Sequence, residues 1–168
     1  YNMKKTILVI FSLLIADFIS SNLIFKKMEF WQYNKLIDYH WRIPSKIYHH
    51  DLKANINVIE PWGFNLEKKL ITNSLGFRDF TNKKITKFPN KKRIILIGDS
   101  AIEGAGYDYE FTIGGLLQIH LEEDYEVLNS AVGSYSPSIY FKKIEYFINE
   151  GYVFDKAIIF LDPSDIID

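Results

Sequence analysis

The second half of this 168-residue sequence predicts an α/β fold built on a parallel sheet. Three observations carry that expectation. Short apolar, β-branched runs recur at residues 94–97, 126–132 and 157–161. Helix-period apolar segments separate them, one at 111–122 and one that opens near Pro137 and stops at Gly151. Each run also ends in polar, turn-forming residues. Strand, helix, strand, helix, strand implies right-handed crossovers, with all three strand ends along one edge of the sheet. In open α/β sheets that edge is where ligands bind.

The elements before this alternation read as follows. Residues 6–25 are mostly apolar, with Lys4 and Lys5 before them and Lys26 and Lys27 after. Twenty helical residues span roughly 30 Å, the thickness of a bilayer's hydrocarbon core. Asp17 opposes insertion by roughly 2.5–3.5 kcal/mol, and thirteen Ile, Leu, Val and Phe residues, at roughly −0.3 to −0.6 kcal/mol each, offset it. The segment reads as a signal anchor over residues 1–27. Its rivals are a cleaved signal peptide and a buried soluble helix; no small-x-small cleavage site follows. A leading anchor of this kind usually leaves the following domain outside, on the extracytoplasmic (periplasmic) face. Met3-Lys4-Lys5 reads as the translation start, and the end at Asp168, just past an apolar run, as a cut through a longer chain.

Residues 28–46 read as a helix or juxtamembrane stalk, whose Trp31, Tyr33, Tyr39 and Trp41 are interfacial anchors or ordinary packing aromatics. Short strands are expected around Ile56, Val58 and the pair Leu70-Ile71, on either side of Pro61-Trp62-Gly63. Residues 73–79, Asn-Ser-Leu-Gly-Phe-Arg-Asp, read as a turn, with Arg78-Asp79 either a solvent-exposed local ion pair or a pair near the active edge of the sheet. A Lys-rich linker at 81–92 then closes a small irregular β region, 28–91, ahead of the α/β region, 92–168.

Composition narrows the function. A net charge of −1 gives no electrostatic footprint for nucleic acid. The absence of cysteine removes disulfides, thiolate metal sites, a Cys nucleophile and a lipid-modified N-terminal Cys. Gly104 and Gly106 lack the third glycine of a dinucleotide fingerprint, and no cofactor is expected.

The strand ends carry the chemistry. Gly98-Asp99-Ser100 follows the first, 129–137 (Asn-Ser-Ala-Val-Gly-Ser-Tyr-Ser-Pro) the second, and Asp162-Pro163-Ser164-Asp165 the third. Ser100 is either a nucleophile or part of a plain strand-turn-helix joint with an Asp-Ser cap. Asp99, Asp162, Asp165 and Asp168 are a rival set of Mg²⁺ ligands for phosphoryl chemistry, without an accompanying Lys or Thr motif. A serine nucleophile needs a base. His120 reads as a partly buried helix residue, and His49-His50 as a pair that could fold over the sheet edge.

With these residues the region resembles the SGNH (GDSL) hydrolase family of esterases, lipases and acyltransferases, which implies a flavodoxin-like three-layer fold. Gly98-Asp99-Ser100 with Glu103-Gly104-x-Gly106 is similar to the family's first block, and 129–137 to its second. The resemblance implies that Ser100 is the nucleophile and that its N–H helps hold the oxyanion. The second oxyanion donor falls on Ser134 by counting from Asn129, with Gly133 one residue earlier. Ser164 stands where the third block has asparagine, and its shorter arm weakens or rebuilds the oxyanion hole. The family's Asp-x-x-His base is expected past residue 168. Residues 73–79 are similar to a segment that precedes the domain in membrane-associated members. The resemblance therefore implies a membrane-anchored ester hydrolase, with O-acetylated envelope glycans as one substrate class. An O-acyltransferase and a catalytically inactive binding module are its alternatives.

Overall fold

The computed structural model describes residues 3–24, 41–62 and 66–162, and the chain divides into two compact units, Tyr1–Tyr39 and His40–Asp168. In the first unit, helix α1 (Met3–Ile19) runs into a π-helical turn (Ser20–Ile24). Lys5–Asn22 is long and apolar enough to cross a membrane. Its Leu, Ile, Val and Phe side chains over residues 7–19 are exposed. The stalk expected from residue 28 falls largely outside the described residues.

The second unit holds two antiparallel ribbons and a three-stranded parallel sheet. Strand β1 (Arg42–Pro44) pairs with β2 (His50–Leu52), and β3 (Asn57–Trp62) with β4 (Leu66–Ile71). Pro61 and Trp62, expected between the strands, belong to β3, opposite Glu67 and Leu66. The parallel sheet has the order β6-β5-β7, from β5 (Lys92–Ile97), β6 (Tyr125–Asn129) and β7 (Lys156–Ile159). Between them lie a one-turn helix α2 (Ser100–Glu103), a 3₁₀ turn (Tyr109–Phe111), α3 (Ile113–Leu121) and α4 (Pro137–Asn149). This is the predicted alternation, with the run at 111–122 divided by Thr112. Thr112 caps α3 by accepting from the Gly115 N–H.

Strand β5 is central, and Ile94 to Ile97 are buried on both faces, as a continuous apolar run requires. One face meets Leu128, Val132, Tyr140 and Phe147, the other Ile102, Val127 and Ala131. Each fully buried Ile or Leu contributes roughly 1.5–3 kcal/mol by leaving water.

Strand β7 is exposed along its whole length, since among the described residues β5 alone pairs with it. Helix α3 rests on Gly114 and Gly115, leaving Ile113, Leu116 and His120 exposed, so His120 is not a partly buried helix residue. A Cβ on Gly115 would lie 1.9 Å from the Tyr109 carbonyl oxygen, so this close approach requires glycine. Helix α4 buries Tyr140, Lys143 and Phe147, while Ile148 is exposed.

Residues 73–79 pack against the sheet instead of forming an exposed turn. Arg78 and Asp79 are each 2% exposed. The Arg78 N–H donates to the Asn129 carbonyl at 3.1 Å, which bridges this segment to the end of β6. Asp79 pairs with Lys83 and not with Arg78. A seven-residue window cannot reveal this, because every acceptor of the Arg78 guanidinium except the Lys69 carbonyl lies 25 or more residues away.

Candidate functional site at the carboxyl edge of the sheet

Ser100 sits where β5 leaves the sheet. Strand residues 94–97 are locked by packing on both faces, so the residues that follow start from a fixed point. Gly98 is needed by close approach: a Cβ there would lie 2.6 Å from Ile102 Cγ1. Asp99 is the N-cap of α2 and accepts from the Ala101 N–H at 2.9 Å. The capping role considered for the Asp-Ser pair therefore belongs to Asp99. Ser100 is exposed, its hydroxyl not consumed by the cap.

The second strand end lies beside it. A Cβ built on Gly133 would be 3.4 Å from Ser100 Cβ and 3.3 Å from Glu103 Oε2. Ser100 and Gly133 thus lie together at this edge, with Ser134 next in the chain. Sequence reasoning missed what surrounds Gly133. The fully buried Glu103 carboxylate accepts the Gly133 N–H. It also accepts two bonds from the Arg42 guanidinium, at 2.7 and 3.2 Å. Glu60, 2% exposed, lies 3.7 Å from Arg42 and accepts from the indole N–H groups of Trp41 and Trp62. Strands β1 and β3 thus brace the turn after β6 through two buried carboxylates.

The Gly133 carbonyl is held as well: His50 Nε2 lies 2.8 Å from it. An oxygen of this kind only accepts, so Nε2 carries the proton. In the neutral ring Nδ1 then accepts from His49 Nδ1, 2.7 Å away. The His49-His50 pair does fold over the sheet edge, and it is a peptide group that His50 touches there. Ser134 follows with φ of 65°, the left-handed region that favours glycine. It is exposed, and among the described residues its N–H meets no acceptor.

Beneath this edge most polar groups are satisfied, Arg78 Nε and the Tyr109 hydroxyl being buried without a partner. Asn129 is fully buried, donates to the Ile102 carbonyl at 2.7 Å and accepts from the Ala131 N–H at 3.2 Å. Arg78 donates to the carbonyls of Glu103, Gly104 and Tyr107, which fixes the loop after α2. Burial lowers the Arg78 pKa, with Glu103 opposing the shift. Behind His50, Lys143 donates to Asp51 at 2.9 Å and to the Tyr135 hydroxyl at 3.1 Å. Burial lowers the Lys143 pKa against the opposing charge of Asp51. It raises those of Tyr48 and Tyr135, which Asp51 also pushes up. Tyr135 donates to the His50 carbonyl at 2.7 Å, so the network fixes the strand that presents the imidazole.

Ser164, Asp165 and Asp168 lie outside the described residues. Among those described, no group of three or more His, Asp or Glu is placed to hold a metal ion. Glu103 stood in the motif, but its partners are far apart in sequence, and Arg42 and Glu60 carried no local signal. No family model matches the chain, and no curated protein matches it either.

Proposed function

We propose that this chain is a membrane-anchored serine ester hydrolase of SGNH type, with Ser100 as nucleophile and a flavodoxin-like three-layer α/β region. The observation that carries the reading is the juxtaposition of Ser100 with the turn after β6. Ser100 is exposed at the end of the central strand, and Gly133-Ser134 lies against it. Ser134 takes the left-handed conformation at the position where the second block calls for glycine.

In this reading a histidine removes the Ser100 hydroxyl proton as Oγ bonds to the acyl carbon. The resemblance expects that histidine, with its aspartate, past residue 168. The carbonyl π electrons move to oxygen, and the resulting oxyanion is met by the N–H groups of Ser100 and Ser134. Gly133 is the weaker donor candidate, because Glu103 already takes its N–H. Collapse expels the alcohol, which takes the proton from the histidine. Water then repeats the sequence on the acyl-enzyme and releases the acid. Helix α1 anchors the protein in the cytoplasmic membrane, with the His40–Asp168 unit on the extracytoplasmic side, where O-acetylated envelope glycans are the substrate class.

An alkyl-phosphonate probe applied to the full-length protein in membranes tests this. Labelling of wild type and its loss in Ser100→Ala is the expected result. Labelling that persists in Ser100→Ala refutes the nucleophile assignment. An unlabelled wild type supports the binding-module alternative instead. Acyl transfer to sugar acceptors in competition with water separates hydrolase from acyltransferase.

A further inference from the structure

Resting on the hydrolase reading above, we infer that His50 is a positioning residue that aims the Ser134 N–H at the reacting acyl oxygen. The peptide between Gly133 and Ser134 is planar and trans, so its C=O and N–H point in opposite directions. Whatever grips the Gly133 oxygen therefore sets the direction of the Ser134 N–H. The grip is His50 Nε2, at 2.8 Å.

The preceding peptide group is fixed independently, because Glu103 accepts the Gly133 N–H. With that amide consumed, the Ser134 N–H is the donor left on this turn; Ser134 is exposed, and the Gly133 before it lies against Ser100. Such a device is needed because Ser134 is not glycine. A non-glycine residue at φ of 65° costs roughly 1–2 kcal/mol. Unheld, the peptide would relieve that cost by rotating, which would carry the N–H away.

His50 is itself braced on three sides. Its ring meets Tyr135 edge to face at 5.0 Å between centroids, His49 stands on its Nδ1, and its own carbonyl accepts from the Tyr135 hydroxyl. Tyr135 is in turn bonded by the buried Lys143 of α4. A surface histidine with no task would not need that support. The imidazole donates to a peptide oxygen, so it acts through the backbone and not as a base.

The test compares His50→Leu with His50→Gln in the full-length protein, on a soluble acetyl ester. Glutamine keeps an N–H donor at similar reach; leucine keeps bulk without a donor. Removing an oxyanion donor outright costs about 10²–10³ in rate, so His50→Leu, which misdirects one, should lower kcat by about 10- to 100-fold with KM unchanged. His50→Gln should restore most of that rate. The Ser134 amide resonance in ¹H–¹⁵N spectra should move in His50→Leu and return in His50→Gln.

Wild-type kcat in a folded His50→Leu overturns the inference while the hydrolase reading stands. Equal loss in both variants overturns it too, since that reports general damage. An unmoved Ser134 resonance overturns it without reference to activity. A wild type with no Ser100-dependent turnover defeats the hydrolase reading and, with it, the oxyanion role of His50.

Discussion

Replacing Glu103 by alanine tests the brace behind Gly133 most directly. The side chain is fully buried and accepts three hydrogen bonds, two from the Arg42 guanidinium and one from the Gly133 N–H. Its removal takes away the nearer carboxylate of Arg42, leaving Glu60 at 3.7 Å. It also strands the Gly133 amide beside a cavity. Hydrogen bonds to charged groups contribute about 1.5–3 kcal/mol, and breaking a buried ion pair from one side costs about 3–5 kcal/mol. These figures describe the same contacts, so they are not added, and the expected loss is about 3–5 kcal/mol. At about 2–8 °C per kcal/mol for domains of this size range, the thermal midpoint should fall by about 6 °C or more. Glu103→Gln preserves shape and one acceptor and should lose about half as much. Urea unfolding followed by circular dichroism measures both, and a double-mutant cycle with Arg42→Met isolates the pair. A loss below about 1 kcal/mol in Glu103→Ala, or a coupling energy near zero, would refute the claim that this carboxylate holds the edge together.

Two further outcomes follow. Ser134→Gly should stabilise the protein by about 0.5–1 kcal/mol, the relief of a left-handed serine less the added chain entropy of glycine, and should retain activity because the donor is a backbone N–H; denaturant midpoints and turnover check both halves. Burial holds the pKa values of Tyr48, Tyr109 and Tyr135 above the ordinary value, with neighbouring Asp51 or Asp79 adding to the effect. Above about pH 10 the folded state then keeps protons that the unfolded chain releases, so stability falls as pH rises. The Lys143 shift has the opposite sign and is spent by about pH 10.4. Absorbance at 295 nm should show these tyrosines ionising late and together with unfolding; their early, separate titration would contradict the buried network.

The parallel sheet and its edge were legible because their signals are local. The apolar run at 94–97, the Asp99 cap and the glycines that break the strands act within a few residues of themselves. What the sequence concealed is the set of charges that folding buries. Arg78, Arg93, Glu103 and Lys143 look like solvated surface residues until their partners are known, and most of those partners are distant. Lys143 alone left a trace: it lies three residues after Tyr140 and four before Phe147, on the buried face of α4. The exposure of β7 reflects its place at the edge of the described sheet, with β5 as its one partner there. An apolar strand carries the same pattern whether or not neighbours cover it.

The bonds that secure the β1–β2 ribbon to the sheet span very long stretches of chain: 61 residues from Arg42 to Glu103, 85 from His50 to Tyr135, and 92 from Asp51 to Lys143. Closing such loops costs entropy before any contact repays it, which slows folding. During synthesis, residues 42–52 emerge early and their partners follow in turn: Glu103, then Gly133 and Tyr135, then Lys143 of α4. Asp51 and His50 must wait in water for most of the chain. The ribbon is therefore fully clamped only once α4 is in place. Because His50 rides on it, the candidate site is completed only when the whole unit has closed.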